Sequence, residues 1–185
     1  MRAVGRKKDA AIAVKAFVAS FVDDDDRARW TRAFLETHRY GEHVRHEVYA
    51  EVIFPVLVAG YERNDAWSLY WLAGTTQNLT DLHLARIGHE GDIKLLHRAL
   101  EIDPGYEQAR HELLRAYVAW FSYASHEWPS AILVGFDGAS LDDCDLYLAW
   151  VARARSLGPD SKQAAFFDDF ACKVRQYRDR LGKRD

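Results

Sequence analysis

Apolar and polar residues alternate along much of this chain with the three- and four-residue steps of an amphipathic helix. The clearest stretch lies beyond residue 104, where one stripe from Ala109 to Ala124 is apolar. A stripe of this kind buries one side of a helix against its neighbours. We therefore expect an all-α protein. The stripe consists of Ala109, Leu113, Ala116, Tyr117, Trp120, Phe121 and Ala124. Similar patterns predict helices over residues 9–22, 26–37, 42–61, 92–102 and 141–157, and from Pro159 onward.

A corner between two of these helices is marked by Asp103, Pro104 and Gly105. Asp103 suits the N-cap, because its carboxylate can accept hydrogen bonds from the free N–H groups of a first helical turn. Pro104 suits the first helical position, where its missing N–H costs nothing. Proline also disfavours helical geometry at the residue before it, so the preceding helix should end at Asp103. We predict that the next helix begins at Pro104.

This combination of helix, corner and helix recurs along the chain. Residues 98–109 match residues 153–164 without a gap, and a weaker copy lies at residues 35–47. The matched pairs are Arg98/Arg153, Ala99/Ala154, Ile102/Leu157, Pro104/Pro159, Gln108/Gln163 and Ala109/Ala164. Repeated units that bury their faces against each other are typical of αα arrays. We predict a single helical domain over residues 1–185, built of stacked antiparallel helix pairs. Its repeat-like units should cover about residues 26–61, 92–125 and 141–181, with turns near 38–41, 103–105 and 158–160.

The segment ALEIDPGYEQAR, with Trp71-Leu72-Ala73-Gly74 upstream, resembles the tetratricopeptide repeat. The resemblance covers mainly residues 65–125 and more weakly residues 141–181. The distance from Trp71 to Pro104 is several residues too long for one repeat of about 34 residues, so a TPR-like array and an irregular helical bundle both stay open. What the resemblance implies is a scaffold that binds a protein or peptide, with no catalytic residues to carry over.

Two segments break the helical pattern. Pro55 lies inside the predicted helix 42–61 and must kink or split it. Residues 128–140 contain Pro129, Gly135 and Gly138 around the apolar run 131–134. Because no second strand is evident for that run, we predict a loop that packs on the helices. Ser140 and Asp143 should form a capping box at the start of the helix that follows.

Composition excludes several classes of function. The net charge of −3 gives no general attraction to nucleic acid or to acidic membranes. The longest uncharged apolar run, residues 52–61, is far too short to span a bilayer. Basic residues precede the apolar run 10–22, as in a signal peptide. Lys15 interrupts that run, however, which favours a packed first helix over a signal peptide. The two cysteines do not suggest a disulfide framework, so we predict reduced thiols and a cytoplasmic protein.

The histidines and glutamates on two predicted long helices suggest one alternative chemistry. Glu42 and His46 are four residues apart, as are His43 and Glu47, and Glu107 and His111 repeat the spacing with Glu112 adjacent. Facing helices can hold a metal ion with such residues. The alternative function is therefore a metal-dependent helical-bundle oxidase or hydrolase. Its ligands would be His43, His46, Glu47, His111 and Glu112. Surface pairs at this spacing are common on helices, and we favour that interpretation.

The six tryptophans suggest bulky packing or an aromatic binding surface. We expect Trp71 and Trp120 in the core, because tryptophan at helical spacing fills gaps between helices. Trp67, Trp128 and Phe136 are the candidate partner-binding residues, since aromatic residues are enriched at binding hot spots.

Phosphate-binding glycine loops, paired CxxC motifs, HExxH and GxSxG are missing from the sequence. The favoured function is therefore a non-catalytic helical scaffold without a cofactor. It would bind a protein or peptide partner in a groove between helices or at residues 126–140. A small acidic protein of this kind would also suit the role of an inhibitor, such as an immunity protein against a toxin.

Overall fold

The computed structural model describes the backbone of residues 2–183 and the side chains of residues 9–183. The protein is predominantly α-helical, which confirms the predicted fold class. The helices are α1 (Arg2–Val18), α2 (Asp24–Thr37), α3 (His46–Val48), α4 (Phe54–Glu62), α5 (Ala66–Gly74), α6 (Asp81–Arg86), α7 (Asp92–Ile102), α8 (Glu107–Ala124), α9 (Leu141–Ser156) and α10 (Ser161–Leu181). A π-helical segment, Tyr49–Ile53, joins α3 to α4, and a 3₁₀ turn covers Thr76–Asn78. Two short strands, β1 (Leu133–Val134) and β2 (Asp137–Gly138), form a hairpin.

Residue contacts divide the chain into two compact units, 1–109 and 110–185, and the division falls inside α8. In unit 1, helix α5 packs against both α4 and α7. Its residues from Ser68 to Gly74 are all buried, which is expected for a helix that is apolar on every side. The approach of α4 to α5 depends on Gly60, because a Cβ atom there would lie 1.9 Å from Ser68 Oγ.

Unit 2 is built around three antiparallel helices. Contacts between α8 and α9 run in opposite chain directions, since Tyr117 meets Trp150 while Phe121 meets Tyr147. The same holds for α9 and α10, where Arg178 Nε donates to Asp145 Oδ1 at 2.8 Å and Arg155 pairs with Asp168 at the other end. The centre of this bundle is fully buried and aromatic. Its largest side chains are Tyr117, Phe121, Phe167 and Phe170.

The predicted helix over 42–61 is wrong in its first residues. Residues 38–45 form a non-helical connector, and α3 begins only at His46. The cause lies in Asn78, which is distant in sequence. Its side-chain oxygen accepts from Val44 N–H at 3.2 Å, and its nitrogen donates to Val44 O at 2.6 Å. These bonds satisfy the backbone of Val44 without a helix.

Pro55 interrupts the helix as predicted, and it lies in the first turn of α4 directly after the π-helical segment. A proline has no backbone N–H to donate to the preceding turn, so the helix widens to a π-helical turn before Pro55, where this hydrogen bond is missing.

The corner at Asp103 differs from its prediction in two respects. Helix α7 ends at Ile102 as expected, but α8 begins at Glu107 and not at Pro104. Asp103 Oδ1 accepts from Gly105 N–H at 3.0 Å, so the carboxylate closes a turn instead of capping the helix.

Helix α10 also starts later than predicted. It begins at Ser161 with Asp160 as its N-cap, and Pro159 lies before it. The predicted capping box of Ser140 and Asp143 is confirmed at the start of α9.

The sequence predicted a loop for the segment 131–134, but the structure shows that part of it is a strand. Leu133 and Val134 pair with Gly138 and Asp137 in an antiparallel hairpin. Gly135 has a positive φ of 59° at the first turn position, which glycine adopts without strain. The hairpin is fixed to the helices by two phenols: Tyr147 Oη donates to Leu133 O and Tyr123 Oη donates to Gly135 O, both at 2.6 Å.

Candidate functional site

Unit 1 contains a cleft of about 690 Å³, a volume typical of ligand sites. One wall comes from the end of α2 and the connector after it, the second from the first two turns of α5, and the third from the α7–α8 corner. We call it the aromatic cleft. Its lining residues are Glu36, His38, Tyr40, Asp65, Ala66, Trp67, Tyr70, Trp71, Asp103, Tyr106 and Gln108.

Tyr70 lies at the centre of the aromatic wall. The centroid of its ring is 4.7 Å from that of Tyr40, 5.1 Å from that of Tyr106 and 5.2 Å from that of Trp71. The Trp67 ring extends the wall, with its centroid 6.4 Å from that of Trp71. Aromatic pairs at these separations attract each other beyond their burial. The rings therefore support one another and define the shape of the cleft.

Local features of the sequence place these rings. Asp65 caps α5 by accepting from Ser68 N–H at 3.1 Å, which fixes where the helix starts and hence where its aromatic residues point. Gly74 leaves room for Tyr40, because a Cβ atom at residue 74 would lie 2.6 Å from the Tyr40 ring. Tyr106 reaches the cleft from the turn that Asp103 closes.

The charges around the aromatic cleft are mainly negative. Glu36, Asp65 and Asp103 line it, and the lining contains no lysine or arginine. Arg32 lies next to it on α2: a guanidinium nitrogen is 3.5 Å from Asp65 Oδ2, and the guanidinium carbon is 4.3 Å from the centroid of the Trp67 ring. Glu36 makes no ion pair with any side chain described for residues 9–183.

Burial raises the pKa of the Tyr106 phenol, and the neighbouring Tyr70 and Asp65 add to the effect. A raised pKa keeps the phenol protonated at every physiological pH, so it can donate a hydrogen bond to a ligand.

The structure separates the predicted partner-binding residues. Trp67 lies in the aromatic cleft of unit 1, whereas Trp128 and Phe136 belong to unit 2. Trp128 is half-buried, and the guanidinium carbon of Arg180 is 5.0 Å from the centroid of its ring. Phe136 is 99% exposed at the turn of the hairpin.

Of the two tryptophans expected in the core, Trp71 is buried as predicted, with 6% of its surface exposed. Trp120 is 38% exposed, so its prediction was wrong. The centroid of its ring lies 6.2 Å from that of Trp150 on α9.

The two pairs of the metal hypothesis in residues 42–47 do not have the helical spacing on which it depended, whereas Glu107 and His111 both lie on α8. Glu42 and His43 lie in the connector before α3, so they are not one turn from His46 and Glu47. Glu47 accepts from Arg45 at 3.0 Å. On α8, Glu112 pairs with Arg115 at 3.3 Å, and His111 is exposed. Within the described part of the chain, no three His, Cys, Asp or Glu side chains form a group that could hold a metal ion.

The sequence analysis missed Tyr40, Tyr70 and Tyr106, which come from three separate segments. One local signal was available: Gly74 interrupts an otherwise bulky apolar helix, and glycine there often marks a close approach.

It also missed His83, the third residue of α6. Thr80 is the N-cap of α6, and its N–H donates to His83 Nδ1 at 3.1 Å, so this nitrogen must be unprotonated. Burial lowers the pKa of His83, and the charges of His46 and Arg86 lower it further. The folded protein therefore favours neutral His83.

We expect this histidine to make stability depend on pH. The contribution of neutral His83 to the free energy of unfolding is complete above about pH 6.5. It is lost as the pH falls below that value, because the unfolded chain then binds the proton more readily than the folded protein does. His83→Gln keeps an acceptor for the capping box but does not titrate. Urea unfolding at about pH 7.5 and about pH 5.5 should show a smaller loss of stability in this variant than in the natural protein. Equal losses in the two proteins would contradict the assignment.

Fold and site together define an all-α protein with an acidic aromatic cleft. No protein-family model, curated protein or solved structure matches the chain. None of the helices described for residues 2–183 combines the length and the apolar character needed to cross a membrane.

Proposed function

We propose that this protein is non-catalytic and that it binds a segment of another protein in the aromatic cleft. The observation that carries the proposal is the gathering of five aromatic rings, from three chain segments, around one concave site of about 690 Å³. Concave sites with aromatic anchors are the usual location of binding hot spots. A cleft of this volume accommodates a few side chains of an extended segment.

The chemistry of the lining supports binding more than catalysis. It contains no serine, threonine, cysteine or lysine that could act as a nucleophile. Its one histidine, His38, has Nε2 3.2 Å from Glu42 O, which is a structural contact within the connector. The metal-dependent alternative gains no support from the arrangement of its residues.

Trp67 provides the sharpest test of this function, because Trp128 is a matched control. Both tryptophans are half-buried beside an arginine, but they belong to different units. Peptides that bind the natural protein would be selected from a display library of short random sequences. We expect Trp67→Ala to weaken the binding of the selected peptides about 10- to 30-fold, as at a hot spot, and Trp128→Ala to leave it unchanged.

Circular dichroism and thermal melting of both variants would show that they are folded. The proposal is wrong if no peptide depends on Trp67, or if binding depends on Trp128 instead. The second outcome would assign docking to residues 126–140.

Two further proposals accompany this function. We place the protein in the cytoplasm, since Cys144 is buried and Cys172 exposed as free thiols. Stoichiometric inhibition of a partner is one form that such binding could take.

A further inference from the structure

We infer that the segment bound in the aromatic cleft carries an arginine or lysine, and that its cation takes the place now held by Arg32 against Trp67 and Asp65. This inference rests on the proposed function and specifies the chemistry of the partner. Three observations support it: the charge of the lining, the position of Arg32 and the arrangement of the rings.

The charge of the cleft selects against acidic segments. Glu36, Asp65 and Asp103 give the lining three carboxylates, and Arg32 pairs with one of them, Asp65, from beside the cleft. Like charges brought together at an interface are repelled, whereas complementary charges speed encounter and fix orientation. A basic segment neutralises this surplus, and Glu36 has no competing ion pair among the described side chains.

Arg32 shows what this part of the cleft accepts. Its guanidinium carbon lies 4.3 Å from the centroid of the Trp67 ring, and one of its nitrogens lies 3.5 Å from Asp65. A cation over an aromatic face with a carboxylate beside it is the arrangement by which proteins recognise arginine and lysine. Trp67 and Asp65 therefore already form half of such a site, with the chain's own side chain as occupant.

Arg32 can leave this position at low cost. Its side chain is 49% exposed, and an ion pair exposed to this degree is weakly held because water screens it. A partner cation would replace the contacts with Trp67 and Asp65 while its neighbouring residues pack on Tyr70 and Tyr106. The free-energy cost of displacement is therefore limited to moving one surface side chain.

The test uses the peptides selected on the natural protein. We expect them to be enriched in arginine and lysine, and we expect replacement of their essential arginine by citrulline, which is neutral, to weaken binding about tenfold or more. Arg32→Ala should strengthen binding about two- to fivefold, since the peptide no longer has to displace a cation from Trp67. Arg29→Ala is the matched control on α2, where Arg29 pairs with Asp26 outside the cleft, and should change nothing.

The outcomes separate the two proposals. Selected peptides that need Trp67 but show no basic residue, or no effect of citrulline, overturn the inference and leave the proposed function standing. If Arg32→Ala weakens binding while Arg29→Ala does not, Arg32 contacts the partner directly and the inference is wrong. If no peptide needs Trp67, the proposed function fails and the inference fails with it.

Discussion

Replacing Phe121 by alanine is expected to lower the free energy of unfolding by about 3–5 kcal/mol. Phe121 is fully buried on α8, at the centre of the bundle of unit 2. Its ring stacks on that of Phe170, with the centroids 4.4 Å apart, and meets the edges of Phe167 and Tyr147. Removing it loses the hydrophobic transfer energy and leaves a cavity between three helices that cannot close without moving them.

Urea unfolding followed by circular dichroism would measure the loss, and the thermal midpoint should fall by about 6–20 °C. Phe136→Ala is the matched control, because it removes the same atoms from a side chain of unit 2 that is 99% exposed. We expect Phe136→Ala to change the free energy of unfolding by no more than about 0.5 kcal/mol. Similar losses in the two variants would mean that Phe121 does not lie at the centre of the core.

Replacing Asn78 by alanine is expected to lower the free energy of unfolding by about 2–4 kcal/mol. Asn78 is 3% exposed and Val44, its partner, is 4% exposed. The variant leaves both the N–H and the carbonyl of Val44 without their bonds to the Asn78 side chain, at 3.2 and 2.6 Å. An unsatisfied buried backbone group costs much more than an exposed one, which water can serve.

The control for this prediction is Gln77→Ala. Gln77 is exposed and donates a single hydrogen bond to Glu42 O at 2.9 Å, so its loss should cost no more than about 1 kcal/mol. We also expect Asn78→Ala to weaken peptide binding, because the connector that Asn78 holds carries Tyr40 of the aromatic cleft. A variant that loses neither stability nor binding would show that the connector is held by other contacts.

The parts of the fold that the sequence predicted well depend on local signals. Helix α7 has its predicted bounds, because its start follows Gly91 and its end precedes Pro104 within a few residues. The capping box of Ser140 and Asp143 is equally local. The connector before His46 was not predictable in this way, since its decisive partner Asn78 lies 34 residues from Val44 in the chain.

The hairpin and the cleft show the same limit. Strand β2 consists of only Asp137 and Gly138, so it lacks the alternation of apolar and polar residues from which a strand could be predicted. The aromatic cleft takes Tyr40, Tyr70 and Tyr106 from three segments. The enrichment of aromatic residues at binding hot spots identified Trp67 as a candidate, but it could not show which rings the tertiary structure would bring beside it.

The close contact of Gly74 with Tyr40 has a consequence for how this surface could change during evolution. Residue 74 is buried, yet any larger side chain there would drive the Tyr40 ring away from its neighbours. A mutation in the interior of α5 would thereby reshape the aromatic cleft. Under the proposed function, the packing of α5 and the recognition of a partner would constrain one and the same position.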